Sequence, residues 1–236
     1  GKAFARRCGR SYMKAMILAA GRGERMRPLT DQTPKPLLPV NGKALIEYHI
    51  EKLAVSGFDE VIINHAWLGQ KIEQHLGNGA RYGISIRYSA EAEALETLGG
   101  IVKALPLLGD EPFFLVNGDV WTDYSFVTKT LAINALAHLI LINNPEHRPQ
   151  GDFGFADGHV FADIDDPRSL QALTYSGMGY FSPLLFRDFT VVKAPLAPVL
   201  RKAMEMGQVT GEHFIGEWFD VGSPERLQYL NKRMRG

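Results

Sequence analysis

Cysteine is almost missing: Cys8 is the only one in 236 residues. An intramolecular disulfide is therefore excluded, and so is a structural zinc site built on several thiolates. The seven histidines are scattered and form no H-E-x-x-H pair, which argues against a transition-metal centre. A hard cation held by carboxylates stays open. Net charge is missing too, with 26 basic against 26 acidic residues. A dedicated nucleic-acid binder would carry a basic excess, so no nucleic-acid partner is expected. No apolar run reaches the length of a membrane span, and no membrane partner is expected. Arg6, Arg7 and Arg10 precede an apolar stretch, Ala15–Ala20, but that stretch is short and Arg22 follows it closely. The fit to a secretion signal is poor. Residues 1–12 read as a tag or leader extension, Met13 as a natural start, and the cytoplasm as the expected compartment.

What is present is an alternation. Residues 14–20 read as a buried strand, 44–56 as a helix, 60–64 as a strand, 68–76 as a helix, 84–88 as a strand, 98–108 as a helix and 112–116 as a strand. Strands and helices that alternate over short loops predict a parallel sheet with helices on both faces. Ligands bind such sheets beyond the carboxyl ends of the strands. The second half is less regular. Strands are expected at 136–142, 177–181 and 217–221, a helix at 196–206, and a last helix opened by Ser223-Pro224-Glu225. Residues 143–176 are rich in Pro, Gly, Asp and Asn, with short strand-like pieces. Residues 13–236 are expected to form a single domain with a substrate subregion at about 143–215.

Gly21–Thr30 (GRGERMRPLT) follows the first strand directly. A dinucleotide turn G-x-G-x-x-G would need glycine where Met26 stands, and the pattern G-x-x-x-x-G-K-[ST] is absent. The ingredients still suit an anion: glycines allow close backbone approach and arginines supply fixed cationic forks. Over residues 21–35 the charge is +2, from Arg22, Arg25, Arg27 and Lys35 against Glu24 and Asp31. Pro34 and Pro36 flank Lys35, which reads as a stiff extended segment presenting a placed charge. Asp119 in NGDV and Asp220 in WFDVGSPE each end an apolar strand. Two such acids facing a cationic loop make a two-carboxylate Mg²⁺ site beside a phosphate cradle, the arrangement phosphoryl or nucleotidyl transfer requires.

LAAGRGERMRPLTDQTPKPLLPV, residues 18–40, resembles the signature L-A-G/A-G-x-G-x-R-x-x-P-x-T-x-x-x-P-K-P of the sugar-1-phosphate nucleotidyltransferases. NGDV and WFDVGSPE resemble that family's two metal aspartates. The resemblance implies an α/β, Rossmann-like, doubly wound, mostly parallel mixed sheet of the GT-A-like kind. It implies the reaction of an NTP with a sugar 1-phosphate to give an NDP-sugar and pyrophosphate. By the same resemblance Leu18, Ala19, Ala20 and Gly21 would hold the base and ribose, and Gly23, Glu24 and Arg25 the triphosphate. Arg25 and Lys35 would stabilise phosphate charge, and Asp119 and Asp220 would hold Mg²⁺. Gly99 and Gly100 would form the small-residue turn under the base. Asn117 would lie near nucleotide and sugar, and Gly177, in the segment 174–183, near the sugar.

The family's E-K-P segment has no counterpart in residues 157–173, which marks a compact member. INHAWLGQKIEQHLG, VNGDVWTDY and NPEHRPQGDFG carry a closer similarity to the compact bacterial uridylyltransferases of cell-wall recycling. This implies UTP and N-acetylmuramate 1-phosphate as substrates, with Asp152 as a contact to the sugar. Mannose-1-phosphate guanylyl transfer, glucose-1-phosphate thymidylyl transfer and a catalytically silent sugar-nucleotide binder are the rival readings. A nicotinamide dehydrogenase on a similar sheet is disfavoured by Met26 and the charged loop.

Overall fold

The computed structural model describes residues 12–235. The stretch expected as a tag or leader, apart from Tyr12, lies outside the described residues. The first half runs β1 (Met13–Leu18), β2 (Pro39–Val40), β3 (Lys43–Ala44), α1 (Leu45–Val55), β4 (Phe58–His65), α2 (Gly69–Leu76), β5 (Ser85–Ala90), α3 (Glu96–Leu108), β6 (Phe113–Asn117) and β7 (Val120–Thr122). The second half runs β8 (Ala137–Ile142), β9 (Phe153–Ala156), β10 (His159–Phe161), β11 (Gln171–Phe181), α4 (Ala197–Glu205), β12 (Val209–Phe214), β13 (Trp218–Asp220) and α5 (Pro224–Arg233).

Nine strands form one sheet in the order β5-β4-β1-β6-β11-β8-β12-β10-β9. β1 pairs in parallel with β4 and with β6, and β4 with β5. Successive side chains of β1 point to opposite faces. Met16 packs with Leu98 and Ile101 of α3, whereas Ile17 packs with Ile46 and Ile50 of α1 and Ile72 of α2. Helices cover both faces, which is why these strands are apolar throughout rather than alternating. α3 begins at Glu96, two residues before the expected start.

β11 runs antiparallel between β6 and β8, and β8 pairs in parallel with β12. The short strand-like pieces expected within 143–176 include β9 and β10, and the strand expected from Gly177 begins earlier, at Gln171. β11 starts at Gln171 and pairs there with β9, and β9 pairs with β10 around the turn Asp157-Gly158. The turn-forming residues occupy the connections, and the strands between them are three or four residues long, too short to show a period. A bulge interrupts the β11–β8 register between Tyr175 and Met178.

A separate two-stranded ribbon pairs β7 with β13. Ser223 caps α5 as expected, its Oγ accepting the Arg226 N–H at 3.3 Å. Among the described residues no helix is long and apolar enough to cross a membrane.

Candidate active site

The site lies where the parallel strands stop. Ala19, just past β1, donates its N–H to Asn64 Oδ1 at 2.9 Å. Asn64 Nδ2 donates to Glu91 Oε1 at 2.9 Å, and Glu91 Oε2 accepts the Leu95 N–H at 2.9 Å. Asn64 and Glu91 are both buried. This chain of bonds ties the ends of β1 and β4 to the start of α3. In front of it opens a cavity of about 430 Å³. Leu18, Ala19, Ala20, Gly21, Gly23, Lys35, Asn117 and Asp119 line it, as the sequence pattern anticipated, joined by Asn64, Glu96, Thr97 and Lys193.

The loop after β1 shows why it holds so many arginines. Arg22 donates to the Thr30 carbonyl at 3.1 Å and to Asp31 Oδ1 at 3.0 Å, and its guanidinium lies 3.9 Å from the Trp67 ring centre. Arg27 pairs with Asp31 at 3.0 Å and with Glu24 at 3.3 Å. Bonds from Arg22 and Arg27 hold the Asp31 carboxyl below its ordinary range. Two of the three arginines are braces, and Arg25 alone among them faces the site. Gly23 has φ +70°, and a Cβ there would stand 2.9 Å from Thr30 Cγ2, so glycine is what lets the loop close on Thr30.

Lys35 does not lie in an extended segment. It opens the 3₁₀ turn Lys35–Leu37, with only Pro34 extended before it. Pro36, at the second position of that turn, needs no N–H there, so the two prolines start a turn rather than prolong a strand. The effect on the amine is as expected: Lys35 Nζ is fixed 3.0 Å from Asp119 Oδ2.

Asp119 and Asp220 are brought together by the β7–β13 ribbon. Asp220 stands opposite Val120, and the Val221 N–H bonds the Asp119 carbonyl at 2.8 Å. Both acids line a second cavity of about 200 Å³ with Arg25, Asn117, His147 and Gly177. Asp220 Oδ2 accepts from Arg226 at 3.0 Å, and His147 Nε2 lies 3.7 Å from the same oxygen. Partial burial, then the Arg226 charge, push the His147 pKa below the ordinary histidine value, against the pull of Asp220. Asp220 Oδ1 is buried and has no hydrogen-bond partner among the described residues. Gly177 has φ +81°, and a Cβ there would stand 2.5 Å from Asn117 Nδ2, so the β11 bulge needs glycine to pass the Asn117 amide.

The acids fit a hard cation on two observations. Asp220 Oδ1 is an orphaned buried carboxylate oxygen, and Asp119 meets it from the neighbouring strand end. Among the described residues no group of three or more His, Cys, Asp or Glu forms a protein cage. A pair of carboxylates suits Mg²⁺, which keeps water and substrate phosphate oxygens among its ligands.

A third cavity, about 450 Å³, adjoins the other two through Asn117 and is lined also by Arg148, Asp152, Tyr175 and the start of α4. Asp152 Oδ2 accepts the Tyr175 N–H at 2.9 Å, so this acid also fixes the backbone beside the bulge. Three of the expected residues lie apart from all three cavities. Glu24 is exposed and paired with Arg27. Gly99 backs onto the Val192 carbonyl, and Gly100 onto the Asn64 side chain, both inside α3. His49 sits fully buried beneath the Asn117–Val120 turn, stacked 5.8 Å from Phe126. Burial, with help from Lys52, pushes its pKa down to about 4 and keeps it neutral.

Residues 14–235 match the nucleotidyl transferase family. The chain belongs to that family. It is 51% identical over 224 residues to the N-acetylmuramate alpha-1-phosphate uridylyltransferase of Neisseria meningitidis serogroup B, covering 92% of this chain and 96% of that protein. It is 32% identical over 232 residues to the protein of the same name from Caulobacter vibrioides, covering 89% and 92%. The mannose-1-phosphate guanylyltransferase catalytic subunit beta of Danio rerio is 30% identical over 230 residues, and the match spans 62% of its length. Among solved structures, a putative glucose-1-phosphate thymidylyltransferase from Bacillus anthracis superposes with TM-score 0.79 at 20% identity, covering 94% of this chain and 95% of that one. That likeness shows the fold, a Rossmann-like nucleotidyltransferase sheet. The family signature thus coincides with the loop, the lysine and the two acids that converge here.

Proposed function

We propose that this transferase moves a uridylyl group from UTP to N-acetylmuramate 1-phosphate, releasing UDP-N-acetylmuramate and pyrophosphate. The observation that carries the reading is one convergence. Arg25, Lys35, Asp119 and Asp220 meet where a backbone-walled cavity joins a polar one. The 51% identity to the Neisseria protein of that activity supports the choice of base and sugar. The single cysteine and the use of an NTP agree with a cytoplasmic setting.

Two anions must approach each other in this reaction, and the residues present oppose that repulsion. The strand-end backbone at Leu18–Gly21 forms the wall for base and ribose, and Gly23 lets the loop close over the triphosphate. Asp119 and Asp220 would hold Mg²⁺, which would supply positive charge against the phosphates. Arg25 lines the second cavity beside the two acids, where it would meet the phosphates, and Lys35 lines the first cavity and is paired with Asp119. The acceptor phosphate oxygen attacks the α-phosphorus in line, the bond to the bridging oxygen breaks, and pyrophosphate departs with that electron pair. The acceptor is already an anion, so no general base is needed. Catalysis is positioning and charge stabilisation.

The test is pyrophosphate release with Mg²⁺, crossing UTP, GTP, CTP and dTTP with a panel of sugar 1-phosphates. Release with UTP and N-acetylmuramate 1-phosphate is expected. Release with GTP and mannose 1-phosphate, or dTTP and glucose 1-phosphate, would keep the mechanism and replace the substrates. Nucleotide binding without release from any pair would make the protein a silent binder.

A further inference from the structure

The third cavity is unlike the other two. One wall is apolar, built from Phe153, Leu196, Ala197 and Leu200, and two guanidiniums, Arg148 and Arg201, border it. The two cations are not equally free. Arg148 NH1 lies 3.4 Å from Asp152 Oδ2, the oxygen that also takes the Tyr175 N–H. Among the described residues no carboxylate pairs with Arg201, whose guanidinium rests 5.4 Å from the Phe153 ring centre. Glu96, the other acid on this wall, forms no ion pair with either arginine. Arg201 is thus an unspent planar cation above an apolar floor.

The cavity is also in the right place for one part of the acceptor. It shares Asn117, Arg148 and Tyr175 with the second cavity, where, on the reading above, Arg25 and the two acids would meet the phosphates. N-acetylmuramate differs from N-acetylglucosamine by a lactyl ether, which leaves the ring two carbons from the phosphate-bearing carbon. That arm carries one methyl group and one carboxylate. The methyl suits the Phe153–Leu200 wall, and the carboxylate suits the fork of a free guanidinium.

We propose that the third cavity is the subsite for the acid arm of the acceptor, and that Arg201 selects a carboxylate-bearing sugar 1-phosphate over its arm-less counterpart. The inference rests on the acceptor reading given above. Arg201 is exposed, so its loss threatens the fold little, and its charge contact is partly screened by water.

The experiment compares kcat/KM for N-acetylmuramate 1-phosphate and N-acetylglucosamine 1-phosphate, each with UTP and Mg²⁺. The wild type is expected to favour the first acceptor, and Arg201→Ala to lower that ratio by about tenfold, the lower end for a charged hydrogen bond. Arg201→Lys should restore part of it, because the charge returns without the fork. A variant that slows both acceptors alike would make Arg201 a structural residue and overturn the proposal. So would an unchanged ratio, or a ratio that Arg148→Ala abolishes and Arg201→Ala does not. Equal wild-type rates with the two acceptors would overturn the selectivity while leaving uridylyl transfer in place. A wild type silent with both would refute the acceptor reading itself, and the subsite with it.

Discussion

The Lys35 ammonium stands 3.0 Å from Asp119 Oδ2, across 84 residues of chain. One group comes from the loop after β1 and the other from the turn after β6, so the pair exists only because those strands are neighbours. The lysine side chain is largely buried, at 13% exposure, and its charge is held at the wall of the first cavity rather than in solvent. Lys35→Ala should lower kcat by a factor of about 10²–10³, the usual loss for one preorganised charge contact. Steady-state kinetics checks this, and a loss smaller than about tenfold would reduce Lys35 to a partner that merely orders Asp119.

Asp220 carries a different signature. Its Oδ1 is buried and unpaired, while Oδ2 binds Arg226. An orphaned carboxylate oxygen costs stability unless something else uses it. Asp220→Asn should abolish pyrophosphate release yet shift the Tm by less than about 4 °C, the change that about 1 kcal/mol makes in a chain of this size. Added Mg²⁺ with UTP should raise the Tm of the wild type and not of the variant, since only a ligand that binds the folded state stabilises it. Asp119→Ala should behave in the same way. Wild-type turnover in either variant would remove that acid from the proposed metal site.

Much of this was legible in the chain, and the reasons are specific. The apolar runs at 14–20, 60–64 and 112–116 lie in fully covered parallel strands, where burial on both faces forces an unbroken apolar pattern. The loop from Gly21 to Lys35 and the turn at Asp119 could be placed in one crevice because strand ends in such sheets share an edge. What was not legible depends on pairing between distant segments. From the sequence alone β11 reads as starting too late, at Gly177 rather than Gln171, because its first residues pair with the short strand β9. Asn64 went unnoticed, although it closes the strand EVIIN with a polar residue much as Asn117 closes PFFLVN, the one signal that could have found it. Arg226 and His147 reach Asp220 from α5 and from a loop, and no spacing in the sequence announces that meeting. Gly99 and Gly100, expected beneath the base, pack α3 closely against the Val192 carbonyl and the Asn64 side chain, contacts between distant segments that no spacing announces.

Glu96 has φ +59° at the first residue of α3, a left-handed conformation that favours glycine. The residue is exposed and forms no ion pair among the described residues, so little offsets the backbone strain. Glu96→Gly should therefore stabilise the protein by about 1 kcal/mol, at the low end for a strained residue because glycine also frees the unfolded chain. Chemical denaturation measures this directly. A loss of stability would mean that the carboxylate, which borders two cavities, makes a contact in solution that outweighs the strain.

Glu212 on β12 gathers His138 Nε2 at 2.9 Å, Lys129 Nζ at 2.9 Å and the Tyr124 hydroxyl at 2.8 Å. Tyr124 and Lys129 belong to the stretch between β7 and β8 that has no regular structure, so this carboxylate helps fasten that stretch to the sheet, alongside the Tyr180 hydroxyl bond to the Val127 carbonyl and the buried Phe126 ring. The His138 bond first, then those from Lys129 and Tyr124, lower its pKa from 4.5 to about 2. A carboxyl depressed in the folded state adds stability above its unfolded pKa and loses it as pH falls through the folded one. The contribution is therefore complete at neutral pH and drains away between about 4.5 and about 2. Glu212→Gln has no charge to lose over that interval. Urea unfolding at about pH 7 should show the variant clearly weaker than the wild type, and the gap should narrow at about pH 3, with the wild type supplying the change. A gap that stays constant across that range would mean that the carboxylate fastens the stretch by shape and hydrogen bonding alone, with its charge contributing nothing.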